Sequence, residues 1–540
     1  MNNPGFDAML SSVTRRNFLK GVAAATAAVG TAAVLPGCGG SGGDASGSKI
    51  FRWGQANPNQ PYDMHRSNNS GSETIACSVC EPLLFWNEKM ELVTVLAAEE
   101  PVWSDDNTTL TFKLKEGVKF HNGADFTAED VKYTFTRMFR PETAALNTYM
   151  YDSIVGAAEM LAGESDELPG VEVIDDYTVA FHLTEPFVQF KDNLGIGYAE
   201  IFPHEACEEA GMDWGIDGNL IGTGPYKMVS DDGSSKIVLE KNADYHGGEP
   251  ALDGVEIIYF DDNSTKVMSF INNEIDACDL SSQLLDQYKD DSTVGPLINY
   301  FDTLGTYFIV MNLTDERFQD KRVREALSLA IDRHSIVDDL LSGAGTVCTS
   351  FLCPQIPGYT DEYGEYEYDP ERAKQLLEEA GATGLTIEVT GRSSEMETTI
   401  MTAVQDMWKQ VGVTMTMQDI DTGKYYEDQA AGNLKCFIQG WFPLYANADN
   451  NMASYFMSEN SPAKSSFYES AEFDDLMTQG RAEADDAARA ELYKQADYIL
   501  TRQDIACIPL FWSKMQFLAK ENVHMTCSNL VYQFNNITMD

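Results

Sequence analysis

Positive charge is scarce in this sequence: 37 Lys and Arg stand against 85 Asp and Glu, a formal net charge of −48 over 540 residues. So acidic a chain repels phosphate backbones and anionic membrane surfaces, which argues against nucleic acid as a partner. Histidine is also rare, and the seven present (His65, His121, His182, His204, His246, His334 and His524) are dispersed. There is no His-Glu-x-x-His helix, no Cys-x-x-Cys-His and no iron–sulfur cysteine run. No glycine-rich loop follows a strand as a dinucleotide site requires, and no Gly-x-Ser-x-Gly elbow sits at a strand-to-helix turn. Neither a redox enzyme nor a hydrolase has its motif here, and no cofactor or resident metal is expected.

A membrane-spanning run is lacking too. The small and apolar stretch 21–35, which carries no charge, falls short of the roughly 20 apolar residues that cross a bilayer. It follows Arg15 and Arg16, with Phe18 and Leu19 next, and ends at Leu35-Pro-Gly-Cys38. A charged start, a short apolar middle and a small-residue end make a secretory signal, here with the paired arginines of twin-arginine export. Leu-Pro-Gly-Cys resembles a bacterial lipobox, in which Cys38 becomes the lipidated first residue of the mature chain. The Gly/Ser-rich residues 39–48 then read as a flexible tether. Setting Cys38 aside leaves nine of the ten cysteines, an odd number, so at least one thiol stays free. Cys77 and Cys80 have no second Cys-x-x-Cys or His pair to complete a zinc set, and Cys348 and Cys353 are close enough in sequence to pair locally.

What remains is an ordinary folded composition, 43% apolar and 11% aromatic, over a length that calls for more than one compact lobe. Leu110–Leu114 alternates apolar and polar residues, and 171–183 shows two such runs broken at Asp175-Asp176, a strand-turn-strand pattern. Thr127-Ala-Glu-Asp130 has capping-box form and predicts a helix near 128–139. Asp369-Pro-Glu371 opens a second helix that Gly381 closes, with a strand at Leu385–Val389. Helical spacing of Val323, Leu327, Ile331 and Leu340 predicts helix across 320–341. The class is mixed α/β with no internal repeat.

Trp103-Ser-Asp-Asp-Asn107 through Lys113-Leu-Lys-Glu-Gly-Val-Lys-Phe-His-Asn-Gly-Ala-Asp-Phe-Thr-Ala-Glu-Asp-Val131 closely resembles the signature of the family 5 extracellular solute-binding proteins, which include oligopeptide, dipeptide and nickel binders. Further matches are Gly222-Thr-Gly-Pro-Tyr-Lys227, residues 320–332, Tyr368–Leu377 and Gly440-Trp441. The resemblance implies an α/β, two-lobed, periplasmic-binding-protein-like (type II) fold with a hinge and an extra inserted domain. Lobe I would comprise 49–92, 219–303 and 513–540, the inserted domain 93–218 and lobe II 304–512. The implied activity is capture of a peptide or peptide-like solute in the interlobe cleft, and delivery to the permease of an ABC importer by a monomeric lipoprotein at the extracytoplasmic face. Binding of haem or chelated nickel is the alternative, and an exported redox enzyme a more distant one.

Peptide-binding members carry an aspartate three residues beyond the Trp, pairing with the ligand's amino terminus; here that position is Leu444. Their arginines before Gly-Trp align with Gln429 and Ile438, so both terminal anchors are replaced. Asp449 is the nearby acid, and Arg392 could supply a cation from a neighbouring loop. The other ligand-lining candidates implied by the resemblance are Asn68, Asn69, Ser70, Tyr149, Tyr151, Gly440, Trp441, Phe442 and Tyr445.

Overall fold

The computed structural model describes residues 48–540. The expected signal, Cys38 and all of the tether before Ser48 lie outside those residues.

One large mixed sheet organises the molecule. Its strands in chain order are β1 (Ile50–Gln55), β2 (Tyr226–Asp231), β3 (Lys236–Lys241), β4 (Gly254–Tyr259), β5 (Ala277–Asp279), β6 (Ile298–Met311), β7 (Gly345–Val347), β8 (Thr386–Arg392), β9 (Thr414–Ile420), β10 (Cys436–Trp441) and β11 (Cys507–Ala519). In space they run β9-β8-β10-β6-β11-β5-β1-β4-β3-β2, with β7 paired to β11. A separate four-stranded antiparallel sheet is built from 102–182. Its Phe181 meets Phe112 and Phe135 edge-on, and the three belong to a core of their own.

Two strands join the halves of the large sheet. Near its start β6 pairs Ile298–Asp302 with Lys514–Leu518 of β11, then the register shifts, and from Thr306 onward β6 lies between β10 and the first half of β11. At the break, side chains stand in for the ladder. Asn529 Oδ1 accepts from the Leu304 amide at 3.1 Å, and Thr303 Oγ1 accepts from the Gly305 amide at 3.1 Å while donating to the Ser513 carbonyl. All of these backbone groups are buried, so leaving them unpaired would cost about 1–3 kcal/mol each.

The local patterns hold in detail. Helix α1 (Ser70–Val79) is capped by Asn69, whose Oδ1 accepts from the Gly71 and Ser72 amides. Helix α2 (Ala128–Phe139) begins where its capping box predicts, with the Thr127 amide donating to Asp130 Oδ2 at 2.9 Å. The strand-turn-strand region forms Val171–Asp175 and Thr178–His182. Helix α3 (Lys321–Leu329) is shorter than the spacing over 320–341 predicts. It stops at Ala330, and a separate helical turn forms at Ser335–Leu340. The break turns Arg333 inward, where its Nε donates to the Pro509 carbonyl at 2.7 Å and its guanidinium stacks on Tyr366. Helix α4 (Pro370–Glu379) has its Asp369 cap, and Gly381 takes the positive φ of 69° that ends it. All nine described cysteines carry free thiols, Cys348 and Cys353 included.

Candidate functional site

Two cavities flank the segment that leaves β10 at Gly440-Trp441. The first, of about 470 Å³, is bounded by Trp53 and Gln55 at the end of β1, by Asn69 and Ser70 at the start of α1, and by Tyr307 and Phe442 from across β6. Its polar groups are partly idle: Trp53 Nε1 donates to Gln55 Oε1 at 2.9 Å, whereas Gln55 Nε2 and the Tyr532 hydroxyl are buried without partners. Tyr307 packs face to face on Phe511 and edge-on to Phe442, and burial pushes its phenol up to about 12. This wall is apolar, with hydrogen-bonding groups opposite, the general composition of a small-molecule site.

The second cavity, about 580 Å³, lies on the other side of the same segment. Tyr149, Asp152 and Gln189 form one wall, and Trp441, Lys464 and Arg481 are among the residues of the other. Arg481 is taken: its Nε donates to Asp449 Oδ1 at 2.7 Å, and Glu459 lies 3.8 Å from its Nη1. Tyr445 closes the floor, stacked on Trp86 at 5.8 Å between ring centroids and bonded through its hydroxyl to Asn193.

The residues expected from sequence thus divide. Asn69, Ser70 and Phe442 line the first cavity, and Tyr149, Trp441 and Tyr445 the second. Tyr151 is fully buried, its hydroxyl donating to the Asn193 carbonyl at 2.7 Å, so it supports the second wall from behind. Gly440 is a spacer: an added Cβ would come within 2.8 Å of the Tyr307 ring. Leu444 packs, half-buried, against the core of the 102–182 sheet, and Asn68 is exposed with its amide directed to Gln60. Arg392 closes on Glu397, whose side chain is 1% exposed, and its Nη1 donates to the Tyr426 hydroxyl. That guanidinium is neutralised within the protein. Asp449 is likewise committed to Arg481.

Several lining residues escaped the sequence: Trp53, Tyr307 and Met396 in the first cavity, Gln189 and Lys464 in the second. Tyr307 shows itself only through strand register, since it pairs with Gly440. Lys464, 23 positions past Trp441 in a Ser-Pro turn, carries no local signal at all.

Two lobes joined by crossing strands are the architecture of the periplasmic binding proteins. The description "Bacterial extracellular solute-binding proteins, family 5 Middle" matches residues 91–463, more than half the chain, and the protein belongs to that family. It is 28% identical over 447 residues to the dipeptide-binding protein of Escherichia coli (strain K12), covering 77% of this chain and 80% of that one. Over 479 residues it is 29% identical to the glutathione-binding protein of the same organism, covering 86% and 88%. The unliganded open form of the periplasmic murein tripeptide-binding protein MppA superimposes with a TM-score of 0.80 at 22% identity, covering 91% of this chain and 97% of that chain. The relatives are binding proteins, and the family works outside the cytoplasm with ABC importers.

Proposed function

We propose that this protein captures a peptide or peptide-like solute between its lobes and delivers it to the permease of an ABC importer, performing no reaction on it. The observation that carries the reading is the Gly440–Tyr445 segment: it leaves the sheet beside β6 and lines both cavities, the place where an extended ligand would meet main chain and aromatic side chains together. The relatives named for dipeptide and glutathione binding support the solute class. Lobe boundaries near 304 and 513 are supported by the β6 register break and its Thr303–Ser513 hydrogen bonds, which suit a hinge. Export through the paired arginines and lipid anchoring at Cys38 are supported by the order charge, apolar run, cysteine. The side chain at Leu444 offers no counterion to a ligand ammonium, so blocked amino termini are tolerated.

The test is a thermal-shift screen of the purified protein with free, amino-terminally acetylated and carboxyl-amidated tripeptide pools, haem and chelated nickel. A solute at about a hundred times its dissociation constant adds about 2.7 kcal/mol of stability. Stabilisation by peptide pools is expected. A response to haem or chelated nickel with silence from every peptide would transfer the site to a non-peptide solute.

A further inference from the structure

The second cavity holds an imbalance that the protein itself does not resolve. Of the charged side chains around it, Asp449, Glu459 and Arg481 answer one another, and Asp152 stands exposed on the far wall. Lys464 has no acid within ion-pair range and no hydrogen-bond acceptor among the described residues. Its ammonium is held instead over two aromatic faces, 5.5 Å from the Trp441 ring centroid and 5.3 Å from that of Tyr455. Among the cations lining either cavity it alone lacks an acid: Arg481 has Asp449, and Lys514 has Asp302 at 3.8 Å. Burial lowers the Lys464 ammonium from its usual value, the sign of a charge desolvated without compensation.

Two further atoms are idle in the same place. Trp441 Nε1 is buried with an N–H and no acceptor. Gln189, 5% exposed, uses its Nε2 on the Tyr493 hydroxyl at 2.9 Å and leaves Oε1 without a donor. Buried polar groups in folded proteins are nearly always paired, so two buried unpaired groups beside a half-buried ammonium with no acid mark the place of an absent ligand. Their chemistry specifies it: an ammonium and an indole N–H on one wall call for an anionic acceptor, and an amide oxygen on the other calls for an N–H.

We propose that the second cavity recognises the carboxylate of its solute through Lys464 and Trp441, with Gln189 accepting from a solute amide N–H. This rests on the peptide reading above and refines it. Position 444 is neutral, and Lys464, 20 residues further along, supplies the cation. Arg392 does not serve, because Glu397 already neutralises it. Peptides with a free carboxylate are therefore bound whether or not their amino terminus is blocked.

Titration calorimetry on the purified protein tests this with the free, acetylated and amidated tripeptide pools, repeated with Lys464→Met and Lys464→Arg. The expected result is equal binding of free and acetylated pools and at least tenfold weaker binding of the amidated pool. Lys464→Met should bring the free pool down to the amidated level, and Lys464→Arg should keep the preference. An amidated pool that binds as tightly as the free one overturns carboxylate recognition and leaves the peptide reading standing. A carboxylate preference that survives in Lys464→Met moves recognition to another group and overturns the assignment to Lys464. Silence from all three pools overturns both readings. If Lys464→Met does not fold, the wild-type comparison of free and amidated pools still decides whether the carboxylate is read, and Lys464→Arg whether a cation at 464 reads it.

Discussion

The most exposed physical cost in the molecule is carried by a single buried residue away from both cavities. Glu200 is fully buried with no well-directed hydrogen bond to either carboxyl oxygen, only the Cys77 thiol offering a weak one. Burial first, and the nearby Glu73, Asp63 and Glu81 after it, push its carboxyl well above the usual 4.5. Glu73, beside it on α1, is pushed up to about 7 by burial. A raised carboxyl value means the folded state keeps a proton that the unfolded chain loses. The associated stability is complete below about pH 4.5 and falls by about 1.4 kcal/mol per pH unit until the folded value is passed. Glu200→Gln keeps the shape and removes the proton. Its melting temperature is expected to match wild type at pH 4 and exceed it at pH 7; an equal offset at both pH values would show that the carboxyl is not the titrating group. Nothing in the sequence around Gly197–Glu200 announces this burial. Trp441 and Asn69, by contrast, were legible through the family resemblance of the short motifs around them. The difference is range: a short motif is local, whereas Glu200 and Gln189 acquire their surroundings from chain 100 or more residues away.

At the scale of elements, the well-read pieces are those whose ends are enforced by their own residues. Helices α2 and α4 begin at capping side chains, and α4 ends at a glycine with positive φ. Helix α3 was overextended because its apolar spacing continues past Ala330. What ends it is tertiary, the inward turn of Arg333 to the Pro509 carbonyl. The β6 register break shows in the sequence only as a more polar run, Asp302-Thr-Leu-Gly-Thr306, ahead of the apolar Tyr307–Met311, and nothing local says how the pairing shifts there. Gly305 shows why the break needs its composition: a Cβ there would overlap the Phe442 ring and come within 2.6 Å of Ser513 Oγ. Gly305→Ala is expected to cost about 1–3 kcal/mol in urea unfolding, as overpacked sites do. It should also push Phe442 toward the first cavity and weaken solute binding. Adding Phe442→Leu should recover part of both losses. Independent, additive effects of the two substitutions would show that these side chains do not share the space.

For the whole molecule, the crossing of β6 and β11 sets how the two halves can move. Both strands pass between them within one pair of hydrogen-bonded ladders, an arrangement that suits the hinge closure proposed above. The formal charge of −48 makes self-repulsion a term against any closure that brings the two halves together. Screening shortens the reach of that repulsion to about 8 Å at physiological ionic strength, leaving a bound solute to supply the remaining bias. Closure then follows from differential affinity: a solute touching both walls favours the closed state, and one touching a single wall shifts nothing. X-ray scattering with and without a saturating tripeptide pool measures this directly. The radius of gyration is expected to fall on binding, and to fall less with Gly305→Ala, whose displaced Phe442 obstructs the narrowing cleft. A thermal shift with no change in the radius would mean that the solute binds one wall only. The importer would then have to recognise the loaded protein by the solute itself rather than by its shape.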